Sequence, residues 1–174
     1  RICGGMEEPR PRGGALATGS GLLVEVPAPL DEWGSVEAGA WIFKVMKGRA
    51  MAIAGTSRAV NADRSSDVLA NYNSIFNVFH REFARWNVLQ VRTFTADSVR
   101  TLTGARPGVR DIDLPEMPSM LWVKSSLPPG LDLPVLKELV TEFRLEWGKT
   151  PFLNLPREGV SRGFAELILE TQGR

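Results

Sequence analysis

The chain holds one histidine and one cysteine among 174 residues, so proton-transfer or thiol chemistry would have to begin at His80 or Cys3. An imidazole titrates near neutral pH and works as a general acid or base when a reacting group lies within hydrogen-bond reach. His80 sits between Phe79 and Arg81, off the apolar stripe of its segment, with no cysteine near and Ser74 at no helical contact spacing. It reads as a surface or boundary histidine. Cys3 lies in a Gly-rich terminus beside Arg1, without the positioned base or helix N-terminus that activates a thiol. A single cysteine excludes an internal disulfide framework and a Cys-based zinc site, and a single histidine excludes a His-rich metal site.

Three other patterns carry potential chemistry. Asp111, Asp113 and Glu116 in RDIDLPEM form a small carboxylate cluster, and an Asp-x-Asp pair can hold a divalent ion between phosphates. Arg106 and Arg110 beside it favour local ion pairs on a solvated loop instead. Residues 13–21, GGALATGSG, resemble a phosphate loop only superficially: Gly14 and Gly19 have the spacing, but Ser20 follows where the loop needs Lys-Ser/Thr. Arg81, Arg85 and Arg92, with Lys44, Lys47 and Arg49, could form a basic face for RNA or phosphate, diluted by Glu82. None of these patterns assigns a catalytic residue, a cofactor or a metal.

The element expected to organise the fold is residues 65–87. Leu69, Tyr72, Phe76, Phe79, Phe83 and Trp86 recur at spacings of three or four, which predicts one long helix with an aromatic core stripe, capped by Ser65 or Ser66 with Asp67 in its first turn. LLVEV at residues 22–26 predicts a strand. Residues 40–55 read as a hairpin, with Trp41, Phe43 and Val45 on one face and Lys47-Gly48 as the turn; a helix is the alternative. Residues 88–94 predict a strand, and residues 95–104 a short helix closed by Gly104. Residues 105–119, with Pro107, Pro115 and Pro118, predict an irregular excursion. LWVK at residues 121–124 predicts a strand. Asp132-Leu-Pro134 is a helix start, and Leu133, Leu136, Val140, Phe143 and Trp147 continue its stripe to Gly148. Asn154-Leu-Pro156 repeats that start before a last helix carrying Val160, Phe164, Leu167 and Ile168.

These elements predict an α+β fold: a small, mainly antiparallel sheet packed with about three helices, or a mostly α fold if residues 40–55 are helical. The domain division is an extended Gly/Pro-rich arm over residues 1–34 and a single α+β domain over residues 35–174. The arm has too few apolar side chains to fold alone and needs a surface to lie on, its own body or a neighbouring subunit.

Composition narrows the function classes. Apolar residues make up 43%, enough for a core, and 21 basic side chains against 20 acidic ones argue against a dedicated nucleic-acid binder. The longest apolar stretch, residues 36–55, is interrupted by Lys44, Lys47 and Arg49, so no membrane span is expected. The first residue is Arg1, which fits a processed form or a fragment. The expectation is a non-catalytic structural or accessory subunit of a large macromolecular complex, docking on other protein subunits through its arm and Pro-rich loops. It would be intracellular, in an organelle matrix or stroma if a presequence has been removed. The alternatives are an RNA-associated component, such as a ribosomal or nucleocapsid protein, and a small enzyme or ligand-binding domain built on Asp111, Asp113 or His80.

Overall fold

The computed structural model describes residues 20–83, 87–148 and 163–170. In chain order these form β1 (Leu22–Val26), α1 (Ser35–Val45), β2 (Ala50–Ile53), α2 (Ile75–Phe83), β3 (Asn87–Thr93), α3 (Ala96–Thr103), a 3-10 turn (Asp111–Asp113), β4 (Ser119–Val123), α4 (Leu133–Leu139), β5 (Phe143–Trp147) and β6 (Gly163–Leu169). The six strands make one mixed sheet in the order β2-β1-β3-β6-β4-β5. The content is α+β, but the expected antiparallel sheet is corrected. β1, β2, β3 and β6 run parallel, β5 runs parallel to β4, and only β4 against β6 is antiparallel. The connections explain this. The crossovers through α1, α2 and α4 return the chain in the same direction, whereas the connection through α3 and the Pro-rich excursion reverses it, which sets β4 antiparallel to β6.

The sheet is covered on both sides. On its front face α1 and α4 pack over one continuous apolar cluster that includes Leu22, Val24, Leu89, Val91, Leu121 and Leu167. On its back face the apolar contacts are split. Phe79 and Phe83 of α2 cover Leu23, Val88 and Phe164, whereas α3 covers Phe94, Met120 and Ile168. Helix α1 sits close to the sheet because Gly39 has no side chain: a Cβ there would lie 2.7 Å from Val26 Cγ2.

Local signals place several elements as expected. Thr95 and Ser98 form a reciprocal capping box at the start of α3, and Gly104 closes it with φ 65°. Asp132 accepts from the Val135 N–H at 3.2 Å, with Pro134 in the first turn of α4. LLVEV is β1, in the interior of the sheet although it falls within the stretch assigned to the arm. Residues 1–19 of that arm lie outside the described residues.

Four expectations are overturned. The 40–55 hairpin is the end of α1 followed by β2. Lys47-Gly48 is a helix stop, not a β-turn: Lys47 takes φ 52° and the Gly48 N–H reaches back 2.8 Å to the Phe43 carbonyl. The long helix of residues 65–87 shrinks to α2. Asn71 and Asn77 bind neighbouring backbone carbonyls through their side chains, which holds residues 65–74 in turns. Leu69 is still fully buried, while Tyr72 is exposed; Trp86 lies outside the described residues. The helix from Asp132 ends at Leu139, because Val140 turns extended and residues 143–147 pair with β4. The last helix is β6, whose Phe164, Leu167 and Ile168 also suit a strand buried on both faces; its proposed start at Asn154 lies outside the described residues.

Candidate functional site

Across the middle of the back face, between the two apolar clusters, runs a row of polar side chains. Register aligns Glu25 of β1, Gln90 of β3, Glu166 of β6 and Trp122 of β4 as neighbours. Glu25, Gln90 and Glu166 are fully buried. His80 of α2, also at 0% exposure, lies with Nδ1 2.8 Å from Glu25 Oε1, and Gln90 donates to Glu25 Oε2 at 3.2 Å. Two residues along β3, Arg92 donates to Glu32 through Nε at 2.9 Å and to Glu166 through Nη1 at 3.1 Å. Burial alone would push the Arg92 guanidinium down; the Glu32 and Glu166 carboxylates outweigh it and hold the group above its ordinary value. The pair Glu25–His80 has two parts of a proton relay. Both groups are wholly enclosed, however, and neither lines the cleft described next.

That cleft opens at the carboxyl ends of β3 and β6 and the start of β4, between α1 and residues 139–142. α1 covers the front face and α2 the back. Crevices at such strand ends are where open sheets with parallel strands place ligands. Its volume is about 720 Å³, within the range of small-molecule sites. One wall is Trp33, Gly34, Glu37, Ala38, Trp41 and Ile42. Their spacing, adjacent pairs every four residues, is one side of a helix. The floor includes Thr93, Ser119 and Leu169, and the opposite wall is residues 139–142, with Glu142 and Glu170 at the edge.

The wall is anchored to the charged row. Glu32 turns inward to Arg92, and its carboxylate also accepts from the Thr93 N–H at 3.4 Å. The next carbonyl, that of Trp33, accepts from the Thr93 hydroxyl at 2.9 Å. Gly34 then takes φ 79° and starts α1, a left-handed conformation that a side chain at Cβ resists. With its backbone fixed at these points, Trp33 projects an indole that is 91% exposed; Trp41, two turns further, is 54% exposed.

The residues singled out from the sequence lie elsewhere. His80 is not at the surface but buried on Glu25, because the back face of β1 presents a carboxylate that an imidazole can answer. Asp111 pairs with Arg100, and Asp113 with Arg110 at 2.8 Å, as exposed ion pairs; each holds its arginine above the ordinary value by hydrogen bonding. Glu116 is exposed. Among the described residues no group of three or more His, Cys, Asp or Glu side chains is placed to hold a metal ion. The expected basic face loses Arg92 to the interior. Arg81 donates to the Tyr72 carbonyl at 2.9 Å, Lys44, Lys47 and Arg49 are exposed, and Arg85 lies outside the described residues. So do Cys3 and residues 13–19 of the Gly-rich loop. No described helix is long and apolar enough to cross a membrane.

Sequence reasoning missed Trp33, Glu37 and Trp41. The signal was their four-residue spacing, visible only once residues 35–45 are read as a helix. What fold and cleft define is an α+β body built on one mixed six-stranded sheet, with a recess at the carboxyl ends of β3 and β6. Comparison with protein-family models, with curated proteins and with solved structures returns no match to this chain.

Proposed function

We propose that the chain is a ligand-binding domain, and that the cleft at the carboxyl edge of β3 and β6 takes a small organic molecule. The observation that supports this reading is Trp33: a tryptophan 91% exposed, on a backbone fixed from two sides, at the mouth of a cleft. Covering half of an indole removes on the order of 100 Å² from water, about 2.5 kcal/mol. Because the backbone is already ordered, little of that is lost to immobilisation. The test is a fragment screen on the full chain, followed by NMR of the indole N–H signals. Binders should shift Trp33 and Trp41 together, and W33A should weaken them without lowering the melting temperature. A screen in which no fragment moves either indole removes the reading.

A second reading, an accessory subunit of a larger protein assembly, is favoured by separate exposed apolar side chains. Ile75 at the start of α2, Leu30 in the turn after β1 and Ile112 in the Pro-rich excursion are 89%, 70% and 70% exposed. Native mass spectrometry of the chain purified from its source would test it; a bare monomer speaks against it.

A further inference from the structure

Resting on that ligand-binding reading, we infer that the cleft selects an organic cation, an ammonium- or amidinium-bearing small molecule. The lining sorts ligands by charge. Glu37, Glu142 and Glu170 face the recess from three different segments, and no lysine or arginine is among its described lining residues. The N-terminus of α1 contributes a partial positive charge of only about half a unit, and Glu37 in its first turn already opposes it. An anion would therefore meet a net negative field, and a cation a favourable one.

The aromatic wall points the same way. The face of an indole carries negative electrostatic potential and is the strongest cation–π partner among side chains. Trp33 and Trp41 supply two such indoles, both largely uncovered. The Thr93 hydroxyl, which could have donated to an anion, is committed to the Trp33 carbonyl. The carboxylates accept hydrogen bonds and the indole faces attract positive charge, matching N–H donors or a quaternary nitrogen. The dimensions, about 720 Å³, admit a cation carrying an aromatic or aliphatic body.

The experiment titrates the full chain with three probes sharing one ring: benzyltrimethylammonium, benzyl alcohol and benzoate. The readout is the indole N–H shifts of Trp33 and Trp41, assigned with W33F and W41F. The expected result is tightest binding by benzyltrimethylammonium, about tenfold or more ahead of the other two. The E37Q/E142Q/E170Q variant, with all three changes on exposed side chains, should erase most of that preference while leaving the melting temperature unchanged. If benzyl alcohol or benzoate moves the same indoles at equal or lower concentration, the cation inference falls and the ligand-binding reading stands. If none of the probes moves them, and the fragment screen is also silent, both fall together.

Discussion

The two faces of the sheet use the same strands and are held by different physics. On the front face, Val24, Leu89, Val91, Leu121 and Leu167 meet α1 and α4 in one unbroken apolar cluster. On the back face the residues between them along the strands put Glu25, Gln90, Arg92 and Glu166 in the interior, flanked by two separate apolar patches. Packing on the front is non-directional and tolerates exchange of one hydrocarbon for another of like volume. Pairing on the back is directional: each charged group there is tolerable only while its partner is present, since desolvation of a lone charge costs several kcal/mol. The back face also reaches the cleft, because Glu32, the partner of Arg92, immediately precedes Trp33. A buried ion pair whose attraction is offset by desolvation thus has a plain use here: it fixes the turn that presents the indole.

Substitutions on the two faces break or sharpen this contrast. The largest effect is expected for Arg92→Met, which leaves Glu32 and Glu166 buried without their cation and should cost about 3–5 kcal/mol in denaturant unfolding. The triple change R92M/E32L/E166L should recover most of it. An R92M protein within about 1 kcal/mol of the parent would show that the back face is not held by charge pairing. On the front face Leu89→Ala, at a fully buried position, should cost about 2–5 kcal/mol through lost burial and a cavity. No change on the back face should rescue it; rescue by R92M would mean that the faces are not independent.

His80→Leu comes next. It leaves the buried Glu25 carboxylate with the Gln90 amide but not the imidazole, at a cost of about 2 kcal/mol, and adding E25L should return much of that loss. A cycle in which the two substitutions simply add would separate His80 from Glu25 energetically. Thr95→Ala removes the cap of α3 and should cost about 1 kcal/mol, without touching the buried charges of the back face. The smallest effect concerns Asp63, whose carboxylate accepts the Ser65 N–H and is held below the ordinary aspartate value of 3.8 by that bond. Its folded-state value being depressed, its contribution is present above the unfolded value and is lost as pH falls through the folded one. Melting curves of D63N and the parent should therefore differ slightly at neutral pH and converge in acid. A difference that grows on acidification would contradict that assignment.

How much was legible follows the range of each signal. The Thr95 cap, Gly104, the Asp132-Leu-Pro134 start and the LLVEV strand are local, and each was read correctly. Lys47-Gly48 was misread because a helix stop and a hairpin turn use the same residue types; which one forms depends on whether residues 35–45 find an apolar floor. VLQVRT was read as a strand and GFAELIL as part of a last helix, and in neither does the pattern show that the polar residues are buried. Their partners, Glu32 for Arg92 and Glu25 for Gln90, lie 60 and 65 residues away, and nothing local announces them. The cleft was invisible for the same reason: Thr93, Ser119, Glu142 and Glu170 come together only when β3, β6 and β4 are adjacent in the sheet.

By itself the sequence determined the start and stop of α3, the start of α4 and the extended segments β1, β3 and β4, and its one cysteine excluded an internal disulfide. These follow from backbone sterics, capping and composition, all of which act within a few residues. Tertiary structure alone decided that most strands pair in parallel, that His80 and Arg92 are interior groups, and that two tryptophans and three carboxylates share one recess. Those outcomes depend on which distant side chain neutralises a buried charge and on which strand edges meet, and both are settled only when the whole chain has closed around its sheet.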